Sequence, residues 1–268
     1  VDLELVGKRA IVTGGSRGIG LAIAKALSAE GAHVALVARD DAALQTARAA
    51  VEEAGGLAAG RVITVSCDTG DDHAVGHMAA DVAAAFGGVD ILVNAAARPN
   101  TGAVTGIEQF DEADFTEQLN VKVLGYLRVA RAVVPSMKAN GWGRIINVSG
   151  LAARSTGAIT GSVRNVAVAA ATKNLADELG HHGINANVVH PGFTVTEKTP
   201  QTLALQAQRA GIEVAEAERR AAAGVSIGRL VTAEEVASVV VFLASPKSVA
   251  INGDSITAGG GASGPIYY

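Results

Sequence analysis

Seven residues near the start of the chain, Gly14-Gly15-Ser16-Arg17-Gly18-Ile19-Gly20, have the types and spacing to hold a pyrophosphate. They follow a short apolar run ending at Thr13 and lead into a helical pattern that reaches Glu30. In such a strand, turn and helix unit, one glycine permits the tight turn and a second lets the backbone approach the phosphates. A third lets the helix pack close to the sheet with its first amides aimed at the anion. Arg17 lies in this turn, and Arg39 follows Ala38 at the end of the next strand-like run. An acidic residue at the Ala38 position would accept hydrogen bonds from ribose hydroxyls and repel a 2′-phosphate, whereas two guanidiniums can clasp that phosphate. The competing reading pairs Arg39 with Asp40 or Asp41 and leaves Arg17 in solvent.

Alternating strand-like and helix-like segments must position these groups. His33 to Val37, Val62 to Val65, Val89 to Val93, Ile184 to Val189 and Ser255 to Thr257 read as strands. Leu44, Ala47 and Val51, and then Val75, Met78, Val82 and Phe86, recur at helical spacing. Asp71 or Asp72 begins the second of these helices, and Thr232-Ala233-Glu234-Glu235 is a capping box before another. Asp111 to Lys138 reads as a long helical region interrupted at Gly125 and kinked or ended by Pro135. Val163 to Leu179 forms a further helix, alanine-rich in its middle. The pattern predicts an α/β fold: one Rossmann-like, doubly wound parallel sheet of about seven strands with helices on both faces, in a single domain spanning residues 1–268.

Further landmarks extend the glycine turn: Asp68-Thr69, Asn94-Ala95-Ala96, Asn120, Gly143 to Ser149, and His190-Pro191-Gly192. Together they make the chain resemble the short-chain dehydrogenase/reductase family along nearly all its length. The resemblance implies an NAD(P)(H)-dependent oxidoreductase acting on a small carbonyl, enone, quinone or alcohol. It implies cofactor contacts from Gly14, Ser16, Arg17, Gly18, Ile19, Gly20, Arg39, Asp68, Thr69, Asn94, Ala95, Ala96, Pro191, Gly192 and Thr194. With the two arginines, NADP(H) is favoured and NAD(H) remains possible. Residues 194–223 correspond to the segment that covers the substrate, and the two long helices correspond to those that pair in a homodimer or homotetramer.

The family's Tyr-x-x-x-Lys acid–base motif is absent. The chain has three tyrosines, Tyr126, Tyr267 and Tyr268, and none has lysine four residues later. Matching Thr172-Lys173-Asn174-Leu175-Ala176 to the family places Gly161 where the tyrosine belongs and Asn165 where the lysine belongs, with Ser162 as another occupant of the tyrosine place. The family's serine falls on Ser149 or, in members with two hydroxyl residues at that strand end, on Gly150. Asn120, Ser149, Ser162, Arg164 and Asn165 are the catalytic candidates; His190, at the strand end before Pro191, reads as structural rather than catalytic, and Tyr267 and Tyr268 as a frayed or interface-packed tail rather than donors folded toward a site. Two other readings stay open: a nucleotide-binding homologue without turnover (a sensor, a scaffold or an inactive subunit), and a non-redox lyase or isomerase on the same fold.

Composition narrows the field. With 49% hydrophobic residues among 268, the chain can bury a core of mostly small side chains. A net charge of −4 and no dense Lys/Arg run argue against nucleic-acid binding. Cys67 is the only cysteine, which excludes an internal disulfide or a cysteine metal cluster and fits a reducing cytoplasm. No run of eighteen apolar residues and an acidic start, Val1-Asp2-Leu3-Glu4, predict a soluble, unexported protein without membrane contact. No metal site is expected.

Overall fold

A computed structural model describes residues 1–98 and 107–262; Tyr267 and Tyr268 lie outside the described residues. The chain runs β1 (Arg9–Thr13), α1 (Gly18–Ala29), β2 (His33–Ala38), α2 (Asp41–Gly55), β3 (Val62–Ser66), α3 (Asp72–Phe86) and β4 (Ile91–Asn94). It continues through α4 (Glu112–Leu119), a π-helical turn (Asn120–Leu124), α5 (Gly125–Asn140), β5 (Gly143–Val148), α6 (Ile159–Leu179) and β6 (Ile184–Pro191). After it come β7 (Thr194–Val195), α7 (Thr199–Ala210), α8 (Val214–Ala223), β8 (Val231–Thr232), α9 (Ala233–Ala244) and β9 (Ser255–Ala258).

Seven strands form one parallel sheet in the order β3-β2-β1-β4-β5-β6-β9, and β7 pairs with β8 in a separate ribbon. The order reverses between β1 and β4, so the crevice for a ligand opens at the carboxyl ends of those strands. Strand side chains divide by parity. Ala10, Val12, Val34, Leu36, Ile91, Val93, Ile146 and Val148 join one core with residues of α1, α2 and α9. Ile11, Ala35, Val37, Leu92 and Ile145 join the other with residues of α3, α5 and α6. Because both faces are covered, the strands read as continuous apolar runs rather than alternating ones.

The helix starts follow local chemistry. Asp40 accepts from the Ala43 amide ahead of α2, Asp71 from the His73 and Ala74 amides ahead of α3, and Thr232 and Glu235 complete a reciprocal capping box on α9. The long region differs from expectation. Gly125 does not interrupt it, since the break begins earlier, at Asn120, where the backbone widens into a π turn. Pro135 lies inside α5, which runs on to Asn140. The amide that proline lacks leaves a single ladder bond unmade, and Val133 and Met137 on either side are buried in the core that holds the helix.

Candidate active site

A cleft of about 580 Å³ opens over the reversal point, lined among others by Gly14, Ser16, Arg17, Ala38, Arg39, Asp68, Thr69, Ala95, Ala96 and Val121. Gly14 sits at φ +68, and a Cβ there would meet the Ala95 carbonyl oxygen at 2.8 Å. A Cβ on Gly20 would collide with the Gly14 carbonyl. Both glycines are thus needed for the turn itself, and they leave bare backbone facing the cleft. The Gly18 amide, at the start of α1, receives the Glu197 carboxylate at 3.2 Å. An acidic side chain resting on this amide shows that the turn accepts an anion, so the cradle fits a dinucleotide's phosphates.

The wall beyond β2 and β3 is polar. The Arg39 guanidinium stands 3.9 Å from Asp68, with both side chains about half exposed, while Asp40 is occupied as the α2 cap. Ala38 and Ser66 are register partners at the ends of parallel strands, so the residues that follow them lie side by side. That is why Arg39 meets Asp68 rather than its sequence neighbours. Asp68 also accepts from the Gly70 amide at 2.9 Å. Cys67 lines the same cleft, and burial, aided by Asp68 and Asp71, pushes its thiol up to about 11, so it stays protonated.

At the end of β4, Asn94 turns inward and donates to Asn147 at 2.9 Å, and Asn147 donates to Thr172 at 2.9 Å. The next two amides, Ala95 and Ala96, both reach the Thr13 hydroxyl, at 3.2 and 3.3 Å. This chain of polar contacts locks β1, β4, β5 and α6 together beneath the cleft. Thr194 donates to the Gly192 carbonyl at 3.1 Å, fixing the turn that leaves β6 after Pro191. Thr69 is buried, its carbonyl held by Arg128 at 3.3 Å.

Among the catalytic candidates, Ser149 and Asn165 come together, but through the backbone: the Ser149 hydroxyl donates to the Asn165 carbonyl at 3.1 Å. A Cβ on Gly150 would stand 3.2 Å from the Asn165 amide nitrogen, so the position after Ser149 faces the Asn165 side chain. Arg164 is buried, donates to Gln118, and through Gln118 connects to Asp114. The Arg164 Nε and the Asn165 Oδ1 are buried with no hydrogen-bond partner among the described residues. Ser162 instead donates to the Ser155 carbonyl at 2.9 Å, and Asn120 points to the Gly70 carbonyl at 3.4 Å. His190 is buried, and its Nδ1 lies 3.1 Å from the Gly150 carbonyl, which can only accept. That bond places the ring hydrogen on Nδ1, and burial holds the imidazole below its usual range, hence neutral.

Two residues, Lys122 and Glu197, escaped the sequence reading. Lys122 lies in the π turn, is 4% exposed, and donates to the Ser149 carbonyl at 2.9 Å. The signal was a single charge inside the apolar run Val121-Lys122-Val123-Leu124, which resembles a surface lysine unless the turn is known. Glu197 was equally silent, since only the fold brings it back to Gly18.

Comparison with known proteins agrees with this architecture. A family model described as enoyl-(acyl carrier protein) reductase matches residues 14–263. The short-chain reductase NovJ of Streptomyces niveus is 36% identical over 255 residues, covering 94% of this chain and 92% of that protein. A D-beta-hydroxybutyrate dehydrogenase of Rhizobium meliloti is 32% identical over 263 residues, covering 95% and 98%. The L-sorbose reductase of Gluconobacter frateurii, solved with NADPH and L-sorbose, is similar with a TM-score of 0.90 and 30% identity, covering 99% of this chain and all of that one. With a glycine turn at the head of α1, a seven-stranded parallel sheet and relatives matching along almost its whole length, the chain belongs to the short-chain dehydrogenase/reductase family.

Proposed function

We propose that the protein is an NADP(H)-preferring oxidoreductase with an altered acid–base site, acting on a small carbonyl, enone, quinone or alcohol. The observation that carries this reading is the shared cleft: the glycine turn, Arg17, Arg39 and Asp68 all line it, and an acidic side chain already rests on a turn amide. The bound nicotinamide supplies hydride chemistry. Gly14, Ser16, Gly18, Ile19 and Gly20 hold the phosphates, Arg17 and Arg39 the 2′-phosphate, Asp68 and Thr69 the adenine side, and Ala95, Ala96, Pro191, Gly192 and Thr194 the nicotinamide side, with Asn94 bracing the floor. NADPH in the Gluconobacter structure, and in the NADPH-dependent reductase BacG of Bacillus subtilis, supports the cofactor assignment.

By the sequence match Gly161, or Ser162, falls where the family's tyrosine belongs and Asn165 where its lysine belongs, so on this reading an ordinary ketone lacks its usual proton donor. A positioned acid contributes about 10² to 10⁴ in rate, and a substrate whose reduced form is already stabilised, such as a quinone or enone, suffers least from its loss. The segment 194–223 packs as a small unit, Leu203, Ala207 and Ala217 against Phe193 and Ile212, and Glu197 ties it to Gly18, which suits a cover over the substrate. The α5 and α6 faces, with Leu124, Leu127, Val134 and Leu175 along one groove, suit a homodimer or homotetramer contact. No described helix is long and apolar enough to cross a membrane, and a cytoplasmic location suits the nucleotide.

Calorimetric titration of nucleotide-free protein with NADPH and NADH tests the reading. NADPH is expected to bind much more tightly, and Arg39→Ala to weaken it about tenfold while sparing NADH, as loss of one charge-assisted bond predicts. Equal losses for both nucleotides overturn the 2′-phosphate assignment. Binding without deuteride transfer to any carbonyl, enone or quinone favours the non-turnover homologue, which the missing side chains of Gly150 and Gly161 also suit.

A further inference from the structure

The least explained group in the molecule is the Lys122 amine. It lies within the π turn, whose extra residue per turn re-aims the side chains that follow Asn120, and such turns gather at functional positions. Its chain neighbour Val121 lines the nucleotide cleft, and its own nitrogen sits 2.9 Å from the Ser149 carbonyl, at the carboxyl end of β5. The charged or titratable groups that interact with it are Arg164 from α6 and His190 from β6; Tyr126 of α5 interacts with Arg164 in turn, and its hydroxyl is taken up by the Val148 carbonyl at 2.9 Å. No described carboxylate pairs with it; Asp114 acts on the neighbouring Arg164, to which Gln118 links it. A buried ammonium beside an arginine and without an acid costs stability, and lysine is rarely buried unless paired. Bracing one backbone carbonyl does not need a charge.

We infer that Lys122 is the proton donor of this site, supplied from the π turn in place of a donor on α6. The inference rests on the oxidoreductase reading above. One of the three ammonium hydrogens is fixed on the Ser149 carbonyl, which sets the direction of the other two. As hydride reaches the carbonyl carbon of the substrate, the carbonyl electron pair moves to oxygen, and Lys122 gives that oxygen a proton. The neutral amine then takes a proton back from solvent, so charge and atoms balance over the cycle; alcohol oxidation is the reverse. Burial, with the Arg164 charge beside it, pushes the amine down to about 7, the range in which a general acid is also readily reprotonated. Arg164 stays protonated and acts on Lys122 by its field. His190 is neutral with its Nδ1 hydrogen committed to Gly150, which removes it as the donor through that nitrogen.

The test is a pH titration of the full chain carrying isotope-labelled lysine, followed by nuclear magnetic resonance, with Lys122→Met to assign the signal and Lys122→Arg as a second assignment variant if the first fails to fold. The titration is repeated with NADP⁺ and with 2′-phospho-ADP-ribose, which lacks the nicotinamide ring, binding being followed by calorimetry. We expect one lysine to titrate near neutral pH. NADP⁺ should move its midpoint down by roughly half a unit or more, because the ring is cationic, while the ring-less nucleotide leaves it in place. A Lys122 that titrates with the other lysines, or that ignores bound NADP⁺, overturns the inference and leaves the oxidoreductase reading standing. Failure of both NADP⁺ and NAD⁺ to bind overturns that reading and this inference with it.

Discussion

The two ends of the parallel sheet treat buried charge in opposite ways. At the amino end, Arg9 of β1 and Asp90, just before β4, form a nearly complete set of partners: the guanidinium gives Asp90 two bonds at 2.7 and 2.6 Å, and its third nitrogen reaches the Gly87 carbonyl at 2.7 Å. The Arg9 amide and Asn140 add to Asp90 at 3.0 and 3.3 Å. At the carboxyl end, Lys122 and Arg164 are buried with no ion-pair partner among the described residues, and the Arg164 Nε and Asn165 Oδ1 are left unpaired. One end is satisfied within the fold, which is what a structural bolt requires. The other keeps charge without an opposite partner next to the strand end that carries Ser149, at a cost in stability.

The largest expected effect is at the satisfied end. Asp90→Asn leaves the Arg9 charge partly buried without its partner and is expected to lower stability by about 3 kcal/mol in urea unfolding, with nucleotide affinity unchanged. The pH dependence follows. Burial alone would raise the Asp90 carboxyl, but the Arg9 hydrogen bonds outweigh it and hold the group below the usual carboxylate range. The pair's contribution is therefore full above the ordinary aspartate value and is lost as pH falls through the lower, folded one, and the variant should lose that part of the acid dependence.

Lys122→Met should act in the other direction. Replacing an unpaired buried ammonium by an apolar chain of similar length is expected to raise stability by about 1 kcal/mol at pH 6 in the same assay. The folded amine is held down to about 7 against the ordinary lysine value, so the unfolded chain binds more protons between the two. The cost of burying it is full below about 7 and fades as pH rises, and the gain from the variant should shrink over that interval. A loss of stability at pH 6 would dissolve the contrast between the ends. The smallest effect is expected at Asp177→Asn, which breaks the exposed Lys173–Asp177 pair of α6, at 2.7 Å, and should change stability by less than about 0.5 kcal/mol. A larger change there would mean that charge alone, rather than burial, sets the difference.

Much of the frame was legible in the residues. The glycine turn, the parity-blind apolar strands and the Thr232 capping box are local patterns, and each carries its own physics. The break in the long helix was not legible, because a π turn depends on what packs against it, and Gly125 and Pro135 were the louder local signals. Candidate site chemistry was readable where it is backbone-driven, as at Gly14 and Gly20, and opaque where it depends on distant contacts. Arg39 meets Asp68 only because β2 and β3 end in register, and Ser149 spends its hydroxyl on a carbonyl sixteen positions away.

If the Gly18 amide holds a phosphate, as proposed, the Glu197 carboxylate now resting on it competes for the same donor. A phosphate bound at that amide would displace a tethered rival, so the affinity measured for a nucleotide would be the intrinsic affinity scaled by the fraction of molecules in which Glu197 has swung away. Small anions such as inorganic phosphate, with few other contacts to offer, are disfavoured by the same rivalry. A dinucleotide, anchored also at its far ends, would overcome it and undo the one contact that ties residue 197 to the glycine turn.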